Sequence, residues 1–314
     1  MRTIRRLRSI AFLVAVLVST SGAARAQTGS TTVDLAGTVF DATKAVLAGA
    51  TVTATNLATG VERAAVSGRD GRYAIPALPP GAYRIRAVLA GFVPQQAEHV
   101  PLALGEAAEF DFALKAGGPA ETVTVAGATP LLDPRRTAVS AVISPRQIEW
   151  LPTNGRDFLD FSKLVAGVNT DRTPYQGAVA TSGLTFAGQG PRFNNITVDG
   201  LDNNDVSVGA VRAAFSQEAV QEFQVSANSF SAEFGKATGG IVNIVTKSGG
   251  NLFSGNAFVY FRDDALNAME HFEKYDPAGN RLDQEKAPYS RYQFGGTFGG
   301  PIRRDRTFFF LSAE

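Results

Sequence analysis

Hydrophobic and polar positions along this 314-residue chain change period several times, and each change marks a different kind of element. Over residues 35–114, short β-branched and aromatic runs alternate with glycine and proline turns: LAGTVFD, GATVTATN, RDGRYAIPALPPGAYRIRAVLAGF and AAEFDFAL. Within them TVTAT, YAI and YRIRAV repeat with period two, and turn signals recur roughly every eight to twelve residues, the pattern of a small β-sandwich. Asp70-Gly71 and Pro79-Pro80-Gly81 supply turns, because proline fixes φ and glycine tolerates φ above zero.

The middle of the chain mixes periods. Ser144-Pro145-Arg146-Gln147 has a capping serine, proline at the first helical position and glutamine three residues on, which predicts a short helix through Trp150. In NGRDFLDFSKLVAGVN, helical spacing puts Phe158, Phe161 and Val165 on one face and Gly167 at the stop, predicting a second helix. A strand, NITVDG, then runs into a turn crowded with Asp199, Asp202, Asn203, Asn204 and Asp205. The D-x-x-D-N-N-D spacing lacks the alternate acids and terminal bidentate glutamate of a calcium loop, so a polar turn is expected and no metal. Strands at 222–226 and 241–247 flank a glycine-containing turn at 234–240, within FSAEFGKATGGIVNIVTKSGG.

Past Gly250 the alternation becomes longer and two-faced. In NLFSGNAFVYFR the odd positions Phe253, Gly255, Ala257, Val259 and Phe261 are apolar or small, while the even ones include Ser254, Asn256, Tyr260 and Arg262. In SRYQFGGTFGG, Tyr292, Phe294, Gly296 and Phe298 oppose Arg291, Gln293 and Thr297, and a third run, TFFFLSA, begins at Thr307. Strands of about ten residues with one apolar and one polar face fit an outer-membrane barrel, as does the order of a long polar loop (263–287) and a short turn (299–305). A half-buried soluble sheet alternates in the same way.

The first 26 residues differ from the rest. Arg2, Arg5, Arg6 and Arg8 precede the apolar run IAFLVAVLV, and the small-x-small triplet Ala24-Arg25-Ala26 follows, which reads as a secretory signal peptide cleaved before Gln27. Removing its five arginines turns 30 basic against 29 acidic residues into 25 against 29, a net charge of −4, so no nucleic-acid partner is expected. With no cysteine, an exported chain must draw its stability from packing and strand pairing. His99 and His271 are the only histidines and lie far apart, so a zinc hydrolase constellation such as H-E-x-x-H is missing, and no enzyme and no cofactor are expected.

Three stretches carry family resemblances. The run GTV.D, GA.V.A.N, DG.Y.I, LPPG.Y.I.A and GF resembles carboxypeptidase regulatory-like domains over about 80 residues, with Ser67 where the family often has threonine. That resemblance implies a transthyretin-like sandwich and permits a carbohydrate-binding role. VQEFQV, SAEFGKATGG and NIVTKSGGN resemble the end of the plug domain of TonB-dependent outer-membrane receptors, in the Oar-like branch. After the AGGPA break, the short alternating run Glu121, Thr122, Val123, Thr124 and Val125 resembles a TonB box, which pairs as an added strand with an energy-coupling protein. An ordinary last strand of the sandwich is the other reading of that run.

The expected architecture is multi-domain and mainly β: a signal peptide (1–26), the sandwich (27–116), a linker with the TonB-box-like segment (117–129), an α+β plug (130–249) and the first strands of a transmembrane β-barrel (250–314). Three barrel strands, against the about 22 of plugged transporters, make this read as the N-terminal part of a longer receptor. The expected location is the cell outer membrane, with sandwich and plug on the periplasmic side. Expected partners are a TonB-type energy-coupling protein, outer-membrane lipid and an unidentified ligand, for which oligosaccharide is one class allowed. The competing reading is a secreted carbohydrate-binding or adhesive β-protein without transport.

Overall fold

The computed structural model describes residues 31–104, 107–117, 123–125, 139–151, 156–171, 175–176, 179–228, 235–269, 271–282 and 285–314. The expected signal peptide, Glu121 and Thr122 lie outside the described residues.

The first unit is a sandwich of two sheets. Its strands are β1 (Val33–Asp41), β2 (Thr51–Asn56), β3 (Glu62–Val66), β4 (Arg72–Leu78), β5 (Gly81–Val88), β6 (Gln95–Leu102), β7 (Ala107–Glu109), β8 (Phe112–Leu114) and β9 (Val123–Val125). One sheet centres on β1, antiparallel to β4 and parallel to β7 and β8; the other runs β3-β2-β5-β6-β9. Alternation along β1 sends Val33, Leu35 and Val39 inward against Val52, Ala54, Tyr83, Ile85 and Phe112, all buried. Each such large side chain contributes about 1.5–3 kcal/mol on burial, which is how a chain without disulfides holds a small domain together.

The quoted motif residues have physical jobs. A Cβ at Gly37 would lie 1.9 Å from the Phe110 carbonyl oxygen, so the glycine lets the crossing segment close against β1. The Tyr73 hydroxyl donates to that same carbonyl at 2.6 Å. Gly71 sits at φ 73°, and Tyr83 closes the Pro79-Pro80-Gly81 turn by donating to the Pro79 carbonyl at 2.8 Å.

The second unit is built on a five-stranded sheet. Its elements are β10 (Val139–Ile143), β11 (Val168–Thr170), β12 (Tyr175–Gln176), β13 (Val179–Ala180), β14 (Leu184–Phe186), β15 (Asn195–Val198), β16 (Leu201–Asp202), β17 (Asn204–Asp205), β18 (Ala210–Val211), β19 (Val220–Asn228) and β20 (Ile241–Thr246). The main sheet runs β10-β19-β20-β15-β16, with β15 parallel to β20, and three small two-stranded pairs decorate it. Helix Pro145–Trp150 forms with the expected reciprocal cap between Ser144 and Gln147. The second expected helix is instead a 3-10 helix, Phe158–Leu164. Asp157 caps Leu159 and tight bonds close at three residues (Asp160 to Asp157, Val165 to Ser162), and that period still buries Phe158 and Phe161 together.

The third unit is a meander of β21 (Ser254–Asp263), β22 (Ser290–Arg303) and β23 (Thr307–Ala313). The expected turn at 299–305 is shorter, because β22 continues through Gly299, Gly300 and Pro301 to Arg303. A Cβ at Gly300 would sit 2.3 Å from the Phe253 ring, so the glycines let the strand run on beneath that aromatic. Among the described residues no helix is long and apolar enough to cross a membrane, a statement that does not touch crossing by strands.

Candidate functional site

Register decides what the meander displays. Gly255, Ala257, Val259 and Phe261 pair with Phe298, Gly296, Phe294 and Tyr292, and Leu311 pairs with Phe298, so these positions share one face, while Phe258, Phe308 and Phe310 fall on the other. That face is open among the described residues: Val259, Tyr292, Phe294 and Leu311 are each more than 60% exposed. Phe253, Phe298 and Phe309 cluster at one end, with centroids 5.5–6.4 Å apart, and Phe261 meets Tyr292 at 4.9 Å at the other.

The opposite face meets the second unit through Arg156. Its Nη2 donates to Glu218 at 3.0 Å and its Nε to Glu314 at 3.1 Å, while its guanidinium lies 4.1 Å from the Phe258 ring centroid and 4.8 Å from that of Tyr260. Asn256 on β21 also donates to Glu218. Burial opposes the charge on Arg156, but the two carboxylates outweigh it and hold the group more firmly protonated. Arg156 takes φ 59°, a strained backbone for a residue with a side chain, which aims it out of the loop at the strands. Beside it, a cavity of about 360 Å³ is lined by Trp150, Arg156, Gln217, Tyr260, Arg262 and Gln293. Sequence reasoning missed Arg156; the NGRDF run was read for its helix period, and a lone arginine carries no pattern.

Of the TonB-box-like run Glu121, Thr122, Val123, Thr124 and Val125, the structure describes the backbone of the last three. They form β9, parallel to β6 with Val123 opposite Gln95, Thr124 opposite Gln96 and Val125 opposite Ala97. The segment is therefore an edge strand of the sandwich, with one backbone edge paired to β6 and no strand on the other among the described residues. That position leaves both readings of the run open, since an edge strand is what an added strand needs.

The sandwich also touches the second unit and the meander. The Leu104 amide, two residues beyond β6, donates to the Glu222 carboxylate on β19 at 2.7 Å in a buried contact, and Gln221 donates to the Pro80 carbonyl at 3.0 Å. Asn251 donates its amide to the Ala58 carbonyl at 2.8 Å and clasps Asp305 in the β22–β23 turn through two bonds.

The acidic turn is occupied with its own folding. Asp199 and Gly200 both have positive φ, as a type I′ hairpin turn requires, and Asp199 accepts from the amide and hydroxyl of Thr246. Asn204 stands in for a strand neighbour, accepting from the Ile196 amide at 2.8 Å and donating to its carbonyl at 3.1 Å. Lys236 and Asn204 hold the Asp202 carboxyl down at about 2.

Comparison with known proteins gives these positions a family setting. A carboxypeptidase regulatory-like domain model matches residues 34–115, and an outer membrane beta barrel domain model matches 245–314. The TonB-dependent transporter Oar of Myxococcus xanthus is 29% identical over 98% of this chain, which spans 28% of that relative's length. Among solved structures, the siderophore receptor PirA from Acinetobacter baumannii aligns with 55% of this chain and 24% of its own at 21% identity and a TM-score of 0.41. PirA from Pseudomonas aeruginosa aligns with 54% of this chain and 25% of its own at 20% identity and a TM-score of 0.37. The chain is thus an outer-membrane homologue of a TonB-dependent transporter, in which a carboxypeptidase regulatory-like domain precedes the beginning of a β-barrel.

Proposed function

We propose that this chain is the N-terminal part of a TonB-dependent outer-membrane receptor that takes up or binds a ligand at the expense of inner-membrane energy. In this reading the second unit is the plug, the meander is the first stretch of barrel wall around it, the sandwich lies on the periplasmic side, and residues 121–125 engage a TonB-type coupling protein. The observation that carries it is the two-faced meander: one face apolar and uncovered, the other bound to the middle unit through Arg156 and Asn256. Phe253 and Phe261, eight residues apart, are about 27 Å apart along the strand at ~3.4 Å per residue. Tilted by about 40°, that separation projects to about 21 Å along the membrane normal, somewhat less than the ~25 Å apolar band of such barrels.

The test exploits main-chain pairing. Capture of the detergent-solubilised complete receptor by the soluble periplasmic part of the coupling protein is measured for Val123→Pro and Val123→Ala at matched abundance. Proline deletes one N–H and leaves a partner carbonyl unsatisfied, a loss of about 1–3 kcal/mol, so capture weakens roughly five- to 150-fold. Alanine keeps the backbone donor and has a mild effect. Normal capture of the proline variant refutes the coupling role and returns the run to a plain last strand of the sandwich.

A further inference from the structure

Strand β6 joins two features that are distant in sequence. At its start, Gln95, Gln96 and Ala97 carry β9 in a parallel ladder. Two residues past its end, the Leu104 amide is held by the buried Glu222 carboxylate of β19, the strand paired on both sides within the middle sheet. A second bond, from Gln221 on the same strand to Pro80, lies beside it. β6 is itself fixed along its length to β5, whose Tyr83 and Ile85 are buried in the sandwich core. A load applied to β9 therefore meets a packed body of two sheets, gripped at its far end by the middle sheet, as well as the chain segment 126–138 that leads to β10.

We propose that the sandwich is the transmission element between the coupling protein and the plug: a partner strand adds to the open edge of β9, extends the sheet β3-β2-β5-β6-β9, and its pull passes along β6 to Leu104 and Glu222. This rests on the coupling role proposed above for residues 121–125. The chemistry of the partner is an extended backbone segment, because β9 offers main-chain donors and acceptors at the sheet edge. Holding β9 in strand form on β6 lowers the ordering cost of adding that segment. The transmission scheme differs from one in which the run is stripped from the sandwich and tugs the plug directly through 126–138, since there the β6–β9 ladder has to open.

A pair of locks separates the two schemes. Gln96 and Thr124 are ladder partners, close enough in backbone for a disulfide, and residues 1–314 contain no cysteine to interfere. The complete receptor with Gln96→Cys and Thr124→Cys is held in a supported bilayer, gripped by the soluble periplasmic part of the coupling protein, and pulled. The expected result is that the oxidised receptor still yields its plug, seen as extension of the β19–β20 region, as the reduced form does. If the oxidised receptor parts from the grip with its plug in place while the reduced form yields, the strand must peel and the transmission role is overturned. Failure of the disulfide to form in native envelopes overturns it too, by showing that β9 does not lie on β6. The paired variant Gln221→Ala and Glu222→Ala, shown folded by retained amide protection of β19, is expected to lose plug extraction while still being captured. Unchanged extraction sinks the proposal. Lack of capture of the unmodified receptor removes the coupling reading itself, and the transmission role with it.

Discussion

Single residues in this chain are explained by what an added or removed atom would meet. A Cβ at Gly240 would lie 1.9 Å from a ring carbon of Phe186, which is fully buried, so the second glycine of TGGIVNIV is where β20 slides under that ring. Gly240→Ala is expected to destabilise the middle sheet by about 1–3 kcal/mol through overpacking, read as earlier amide exchange in β19 and β20. Arg156 is the counterpart on the polar side. With its side chain 9% exposed and that of Glu218 15%, Arg156→Ala leaves a carboxylate largely buried without its cation, an expected loss of about 2–3 kcal/mol in thermal unfolding. Arg156→Lys should recover only part, because a point charge cannot reach Glu218 and Glu314 through separate nitrogens while lying over two rings. Asp202 sets a pH signature. Lys236 and Asn204 depress its carboxyl to about 2, so its contribution is present above the ordinary value of ~3.9 and is lost as pH falls from there towards 2. Middle-sheet stability is expected to be level from neutral pH down to about 4 and to decline below it, by a small amount because the carboxyl faces solvent, and Asp202→Asn should flatten that decline.

At the level of elements, strand existence was far more legible than strand partnership. β2 and β5 alternate strictly and β4 does so as far as Pro76, and all three are readable. β3 (ERAAV) is exposed along nearly its whole length and β6 (QQAEHVPL) carries glutamate, histidine and proline, so neither shows a hydrophobic period, yet both are fixed by neighbours that were readable. The 3-10 helix at 158–164 shows the same limit, since spacings of three and four residues can both bury Phe158 and Phe161. For the meander the period fixed the two faces and the register aligned them, which makes a sharp test. Val259→Arg and Phe294→Arg on the apolar face are each expected to cost about 2–4 kcal/mol of barrel stability and to lower surface abundance, while Ser312→Arg on the opposite face should assemble normally. Equal abundance of all three variants would mean that this face does not meet lipid.

For the whole molecule, the sandwich core closes within residues 33–114, and among the described residues its hydrogen bonds to the other units include those through Ala58, Pro80 and Leu104. The excised segment 27–116 is therefore expected to fold alone as a monomer with one cooperative thermal transition, and a gradual, non-cooperative melt would show that the boundary is wrong. What the sequence determined by itself was a mainly β, multi-domain chain with a carboxypeptidase regulatory-like domain ahead of outer-membrane barrel strands, because alternation, turn chemistry and caps act between residues close along the chain. The same holds for the glycines and tyrosines of the first unit and the two faces of the meander. Tertiary structure alone decided which edges and side chains meet across long separations: β9 on β6, Leu104 on Glu222, and Arg156 between Glu218, Glu314 and two aromatic rings. Those contacts join residues up to 158 positions apart, and each is a single polar bond or a three-residue ladder. Nothing periodic precedes them in the chain, since their partners are chosen by how packed sheets come to face one another.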